Sequence, residues 1–233
     1  MKEFRKGIVD GIPIALGYIS VSFTFGLMAV AAGMKWWQAL LISMTNLTSA
    51  GQFAGLEIIA AGGAYIEMAL SQLIINLRYA LMSLSLSQKV DAHFHTGARL
   101  LAGVAITDEI FAVAMNHKGS VPKTYMAGLI AIPFLGWSGG TLAGALLGGI
   151  LPEILQSALG IAIYGMFIAI IIPKIREGIP YLLVIVLALL MSCGFRWIPF
   201  LSKVSTGFAI IICAVVASLA GAIVFPIAEE EEE

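Results

Sequence analysis

Runs of about twenty apolar residues follow one another along this chain, and three charged groups sit deep inside two of them, with Glu67 near the start of one. Arg78 lies within 62–86, and Asp108 and Glu109 lie at the centre of 100–116. Carrying a guanidinium into hydrocarbon costs from about 3 to more than 10 kcal/mol, depending on how far water and headgroups follow it. A chain keeps such groups when they pair with one another or line a path for a polar solute, so the placement predicts transport. Composition points the same way. Of 233 residues, 60% are hydrophobic and 12% charged, where a soluble domain carries about 25% charged residues. A net charge of −1 offers nothing to nucleic acid. The two cysteines, Cys193 and Cys213, both fall in apolar stretches, where they serve as small fillers rather than as a disulfide framework or metal ligands.

A helix needs about 20 apolar residues to cross a bilayer. That criterion yields eight candidate spans: 11–32, 37–60, 64–87, 99–116, 124–150, 154–173, 179–198 and 204–226. The fourth is short and acidic, and Pro133 is expected to kink or break the fifth. The first is too long for the apolar core of a signal peptide and reads as a retained span. The expected fold is therefore an all-α integral membrane protein, a polytopic bundle of about 7–8 transmembrane helices, some broken or kinked. It forms one transport domain over 1–228, followed by a solvated acidic tail over 229–233, multi-pass in the cytoplasmic membrane. With eight crossings and a cytoplasmic N-terminus, Lys2, Arg5, Lys6, Lys118, Lys123, Lys174 and Arg176 fall inside. Lys35, Lys89, Arg99, Arg196 and Lys203 fall outside. The loop bearing Asp91, His93 and His95 is then external, and its alternating ligand types read as a solvated loop rather than a metal site.

Gly136, Gly140, Gly144 and Gly148 recur every four residues. Each step turns a helix by about 400°, so the four make a nearly straight ridge on which another helix can pack closely in lipid. A faint internal echo links Ile12-Pro13 and Gly17-Tyr18 with Ile132-Pro133 and Gly136-Trp137. Trp36, Trp37, Trp137 and Trp197 suit the membrane interface, and Glu57 and Glu67 fall near span ends, where exposure to headgroups or water is expected.

The candidate binding residues are polar ones at bilayer depth. Asn46, Thr48, Ser49, Gly51 and Gln52 crowd one short segment of the second span and are followed by Phe53. Such a run lets a helix unwind where its freed N–H and C=O groups face a cavity, and those groups suit the two ends of a zwitterion. Asn76 and Arg78 add an amide and a fork that takes a carboxylate in two-point fashion. Asp108 and Glu109 are adjacent on a helix and point about 100° apart, so one can face Arg78 while the other takes a proton and couples an ion to transport. No cofactor or metal is implied, and no catalytic chemistry. Gly136-Trp137-Ser138-Gly139 has the outline of an intramembrane serine protease motif, but all three histidines, His93, His95 and His117, precede Ser138 in expected loops. Nothing resembles a nucleotide-binding loop.

Four motifs carry a family resemblance: Phe23-Thr24-Phe25-Gly26, Ala50-Gly51-Gln52-Phe53, Asn76-Leu77-Arg78-Tyr79-Ala80-Leu81-Met82 and Thr107-Asp108-Glu109-Ile110-Phe111. On these the chain resembles the AzlC family, the large subunits of branched-chain amino acid exporters, over nearly its whole length. It departs from the family pattern at Asn76, where an Asp is common. The resemblance implies secondary export of Leu, Ile and Val, and of Met beside them, with a small AzlD-like membrane subunit as partner. A passive channel for a small solute and a non-transporting assembly subunit are the alternatives left open by the residues.

Overall fold

A computed structural model describes residues 2–152, 154, 168, 171, 172, 175, 176 and 178–226. Nine α-helices are delimited among them: α1 (Lys2–Ala31), α2 (Trp36–Thr45), α3 (Ala50–Ala60), α4 (Tyr65–Lys89), α5 (Thr96–Val104), α6 (Asp108–Met115), α7 (Lys123–Leu147), α8 (Ile179–Trp197) and α9 (Thr206–Val224). α1, α4, α7, α8 and α9 are the five long and apolar enough to cross a bilayer. The second candidate span is divided between α2 and α3, and the fourth between α5 and α6. The candidate span 154–173 and the acidic tail 229–233 lie outside the described residues, apart from isolated positions. The chain forms two compact units, Met1–Leu56 with Asn76–Ile163, and Glu57–Ile75 with Tyr164–Glu233.

The first unit is built on α1 and α7. Gly7 lies against Tyr125 and Leu129, Gly11 against Leu129 and Pro133, Gly136 against Ala15, Gly140 against Ile19 and Ser22, Gly144 against Phe23, and Gly148 against Leu27. The partner numbers climb together, so the two helices run parallel. Most of these approaches are backbone to backbone; a Cβ on Gly144 would strike the Phe23 carbonyl. Lipid tails are as apolar as leucine, so contact of this closeness is what holds two helices together in a membrane. α7 continues as an α-helix through Pro133, and the expected break there is absent. Its ring sits at the bare face of Gly11, as does the Leu129 carbonyl, the acceptor that a proline at position 133 deprives of its helical donor. The two halves of the sequence echo meet in this pair, with the rings of Tyr18 and Trp137 edge to face, their centroids 5.1 Å apart.

The fourth candidate span does not cross. Val90 and Val121 form a parallel bridge, closed by Val121 N–H to Lys89 O (2.9 Å) and Asp91 N–H to Val121 O (3.1 Å). Lys89 Nζ donates to the Met115 carbonyl at the end of α6, and Arg99 Nη1 donates to Ser87 O from the start of α5 (3.3 Å). Both ends of the α5–α6 segment therefore meet the last turn of α4. At 9 and 8 residues, the two helices are only about 13 and 12 Å long at 1.5 Å per residue, well short of the bilayer core. They enter from one end, turn at Ala105–Thr107 and return. This corrects the charge tally. Lys2, Arg5 and Lys6 at the start of α1, Lys118 and Lys123 at the start of α7, and Lys89 and Arg99 all share one end of the unit, with Lys35 at the far end of α1. Asp91, His93 and His95 belong to that basic end too. There Asp91 Oδ1 accepts from His93 N–H (3.1 Å), and His95 Nδ1 accepts from Ala98 N–H (3.1 Å) to cap α5.

In the second unit, Glu67 is only 4% exposed, not the wet span-end residue expected. Its Oε1 accepts the Gly207 N–H in the first turn of α9 (2.8 Å), where a carboxylate meets the positive end of the helix dipole. Gly207 leaves no room for a side chain beside the Glu67 stem.

Two outcomes follow from this architecture. Gly144→Leu removes the backbone contact with Phe23 and costs several kcal/mol, more than the 1–3 kcal/mol typical of an overpacked core; the yield of monodisperse protein in detergent should collapse. Single cysteines at Lys35 and His93 should react with impermeant maleimide from opposite faces of the membrane.

Candidate functional site

The helix between α2 and α3 breaks where local hydrogen bonds compete with the helical ones. Thr45 Oγ1 donates back to Leu41 O (2.7 Å), and Thr48 Oγ1 donates to Asn46 Oδ1 (2.8 Å). Ser49 sits at φ +49°, a left-handed conformation that costs a non-glycine residue about 1–2 kcal/mol. Gly51 is next to it for a steric reason: an added Cβ would lie 2.7 Å from Thr48 Oγ1 and 2.8 Å from Asn76 Oδ1. Asn76 of α4 is thus pressed against the backbone of the break. At the turn between α5 and α6, Thr107 caps α6 by accepting the Ile110 N–H (3.3 Å), which puts Asp108 and Glu109 in the first turn.

Arg78 and Tyr79 of α4 tie the two breaks together. Arg78 Nη1 lies 2.6 Å from Asp108 Oδ2, with the side chains 39% and 36% exposed. Arg78 Nη2 donates to Tyr79 OH (3.1 Å), which donates to the Thr48 carbonyl (3.3 Å), an acceptor also of the Gly51 N–H (3.4 Å). A guanidinium has five N–H donors; among the described residues Arg78 Nε meets no acceptor, and neither does the buried Ser49 Oγ meet a partner. Glu109 is open on one flank, and its Oε2 lies 2.6 Å from Tyr18 OH, which is also 2.5 Å from Thr107 Oγ1. One cation faces two carboxylates, leaving a net charge of −1. The two acids are divided: Asp108 is held by Arg78, and Glu109 by a phenol.

Gln52 does not join this cluster. It is 1% exposed and belongs to a buried chain. Trp137 Nε1–H can only donate, so its partner at 3.0 Å is Gln52 Oε1; the amide Nε2 then donates to Ser43 Oγ (2.5 Å), and Ser43 pairs with Thr141 Oγ1 (2.6 Å). Trp137, at 2% exposure, is no interfacial anchor. Phe53 packs edge-on against the fully buried Phe25, with ring centroids 5.4 Å apart. The structure therefore brings Asn46, Thr48, Ser49, Gly51, Asn76, Arg78, Asp108 and Glu109 around the two breaks. Gln52 and Phe53 lie behind them, in packing. Gly136, Gly140, Gly144 and Gly148 face α1. Sequence reasoning passed over Tyr18 except as half of an echo, and passed over Ser43 and Thr141 altogether. Single hydroxyls in apolar helices carry no pattern, whereas the Tyr18–Trp137 echo was a usable signal.

Residues 13–151, which hold every one of these groups, match the family described as AzlC protein. An uncharacterized membrane protein of Archaeoglobus fulgidus is 32% identical over 179 residues, covering 74% of this chain and 76% of its own. The inner membrane protein YgaZ of Escherichia coli is 27% identical over 181 residues, 75% of this chain and 74% of its own. An uncharacterized membrane protein of Helicobacter pylori is 29% identical over 156 residues, 64% and 67%. No solved structure matches. The chain belongs to the AzlC family and is a helical membrane protein.

Replacing Gln52 by Leu leaves the Trp137 N–H and the Ser43 hydroxyl short of a partner in a buried place. At about 1–3 kcal/mol for an unsatisfied buried group, Gln52→Leu should lower the thermal midpoint of the purified protein by several degrees, and Gln52→Glu should not restore it.

Proposed function

We propose that this chain is the transporting subunit of a secondary exporter that carries Leu, Ile and Val, and Met beside them, across the cytoplasmic membrane in exchange for protons. A small AzlD-like membrane protein is its partner. The observation that carries the reading is the partly used guanidinium: Arg78 holds Asp108 by one contact between two helix breaks, and among the described residues its Nε has no acceptor. A zwitterion exchanges with that pair at little electrostatic cost. Its carboxylate takes unused donors of Arg78, and its ammonium takes Asp108 or the break carbonyls beside Thr48. Charge is conserved through the exchange, so neither Arg78 nor Asp108 is left bare in a low-dielectric surrounding. The excess carboxylate, Glu109, supplies a place for one proton. Discontinuous helices with exposed polar ends are how secondary transporters hold small charged substrates at mid-membrane. No ATP and no catalytic step enter the cycle.

Orientation and location fit the same reading. The end that gathers Lys2, Arg5, Lys6, Lys89, Arg99, Lys118 and Lys123 is the cytoplasmic one by the positive-inside rule, and the E. coli relative is named for the inner membrane.

The test is efflux of labelled leucine from membrane vesicles containing the chain and its partner. Arg78→Gln removes the carboxylate fork and should reduce efflux at least about tenfold, the loss expected for one charge-assisted hydrogen bond; Arg78→Lys should not rescue it, because a point charge cannot reproduce the fork. Asp108→Asn should reduce efflux comparably. Wild-type flux from either variant overturns the reading.

A further inference from the structure

The two acids of the site have different partners, and the difference assigns them different work. Asp108 is neutralised in place by Arg78 at 2.6 Å. Among the described residues, Glu109 has no guanidinium of its own and bonds to a phenol on another helix, Tyr18 of α1, whose oxygen is also in contact with Thr107 Oγ1. The charged and titratable groups gathered around Glu109 are Tyr18 from α1, Arg78 and Tyr79 from α4, and Asp108 from its own helix. Tyr18 is itself held from behind by the edge-to-face contact with Trp137, whose ring is pinned by Gln52.

Counting hydrogens gives the chain a direction. Ionised Glu109 accepts only, so the single phenol hydrogen points at Glu109 Oε2, and the Thr107 hydroxyl donates to the phenol oxygen. When a solvent proton forms a new O–H bond on Glu109, that oxygen becomes a donor, and the phenol oxygen receives it. The phenol hydrogen then turns to Thr107 Oγ1, and the Thr107 hydrogen is released to rotate elsewhere. One O–H bond forms on Glu109 and one breaks in the hydronium that delivers the proton; no bond breaks in the protein, whose net charge rises by one. Thr107 is the cap of α6, standing at the turn between α5 and α6.

We infer that Tyr18 is a positioning residue for ion coupling: it passes the protonation of Glu109, as a reversal of hydrogen-bond direction, to Thr107 at the α5–α6 turn. The inference rests on the exporter reading and adds to it which acid carries the proton and which residue transmits its arrival to the helix break.

Tyr18→Phe removes the oxygen and keeps the ring against Trp137, so it tests the relay with little change in packing. Vesicles containing the full chain and its partner should retain leucine exchange at equal pH on both sides, which also certifies folding. They should lose, about tenfold or more, the extra efflux driven by an inward proton gradient. Thr107→Val should repeat the phenotype and Thr107→Ser should reverse it. Independently of flux, infrared difference spectra of purified protein on acidification should contain a protonated-carboxyl band that Glu109→Gln abolishes and Tyr18→Phe displaces. Gradient-driven efflux intact in Tyr18→Phe, or a Glu109 band indifferent to it, overturns the role of Tyr18 alone. Wild-type vesicles that move no branched-chain amino acid under any gradient overturn the exporter reading and this inference with it.

Discussion

The parallel contact between α1 and α7 sets the height of everything polar in the first unit. Because glycine lets the two backbones touch at Gly7, Gly11, Gly136, Gly140 and Gly144, their register is fixed to the residue. A slide of one turn would drive a side chain into a carbonyl. That register puts Tyr18 level with Trp137, and each ring then reaches sideways to a different broken segment: Trp137 to Gln52 in the first turn of α3, Tyr18 to Thr107 and Glu109 in the first turn of α6. α4 closes the arrangement from another side with Arg78 and Tyr79. The two breaks are held at a common level by helices that are themselves unbroken.

Unwound backbone at membrane depth is tolerated only where its polar groups are satisfied by protein or water. Here satisfaction is shared. Asn46, Thr48 and Tyr79 serve the first break, and Thr107 with Tyr18 serves the second. At the two breaks, among the described residues, Arg78 Nε and Ser49 Oγ are left without a partner. Residual hydrogen-bonding capacity next to a fully formed ion pair is the arrangement a replaceable substrate requires: enough partners to keep the empty site folded, and enough left over to make a ligand worth accepting.

Much of this was legible in the residues, and the failures have physical causes. The polar run from Asn46 to Gln52 signalled a break because Asn, Thr and Ser offer the backbone alternatives to the helix. Arg78, Asp108 and Glu109 stood out because charge in hydrocarbon needs a reason. The glycine spacing in α7 pointed to close packing but could not name α1 as the neighbour, since a ridge carries no address. Hydropathy took 99–116 for a crossing, because a window sees apolar residues and not the cap at Thr107 that turns the chain back. A crossing counted at 37–60, where the chain forms the two short helices α2 and α3, is what put Lys89 and Arg99 on the wrong side of the membrane. Gln52 looked like a ligand and proved to be a strut, and Trp137 looked like an anchor and proved to be its partner. Polarity alone does not say which way a side chain faces.

The shortness of α5 and α6 has a consequence for biogenesis. Neither half is long enough for lipid to hold it as a span, and the turn between them stands at the level where α1 offers its phenol and α4 its guanidinium. A nascent chain leaving the insertion machinery can lodge α1, α4 and α7 on hydrophobicity alone. The α5–α6 hairpin has no such ticket, and settles only when a vestibule built by the earlier helices is there to admit it. The acidic residues of the site find their partners only against α1, which brings the Tyr18 phenol, and α4, which brings the Arg78 guanidinium.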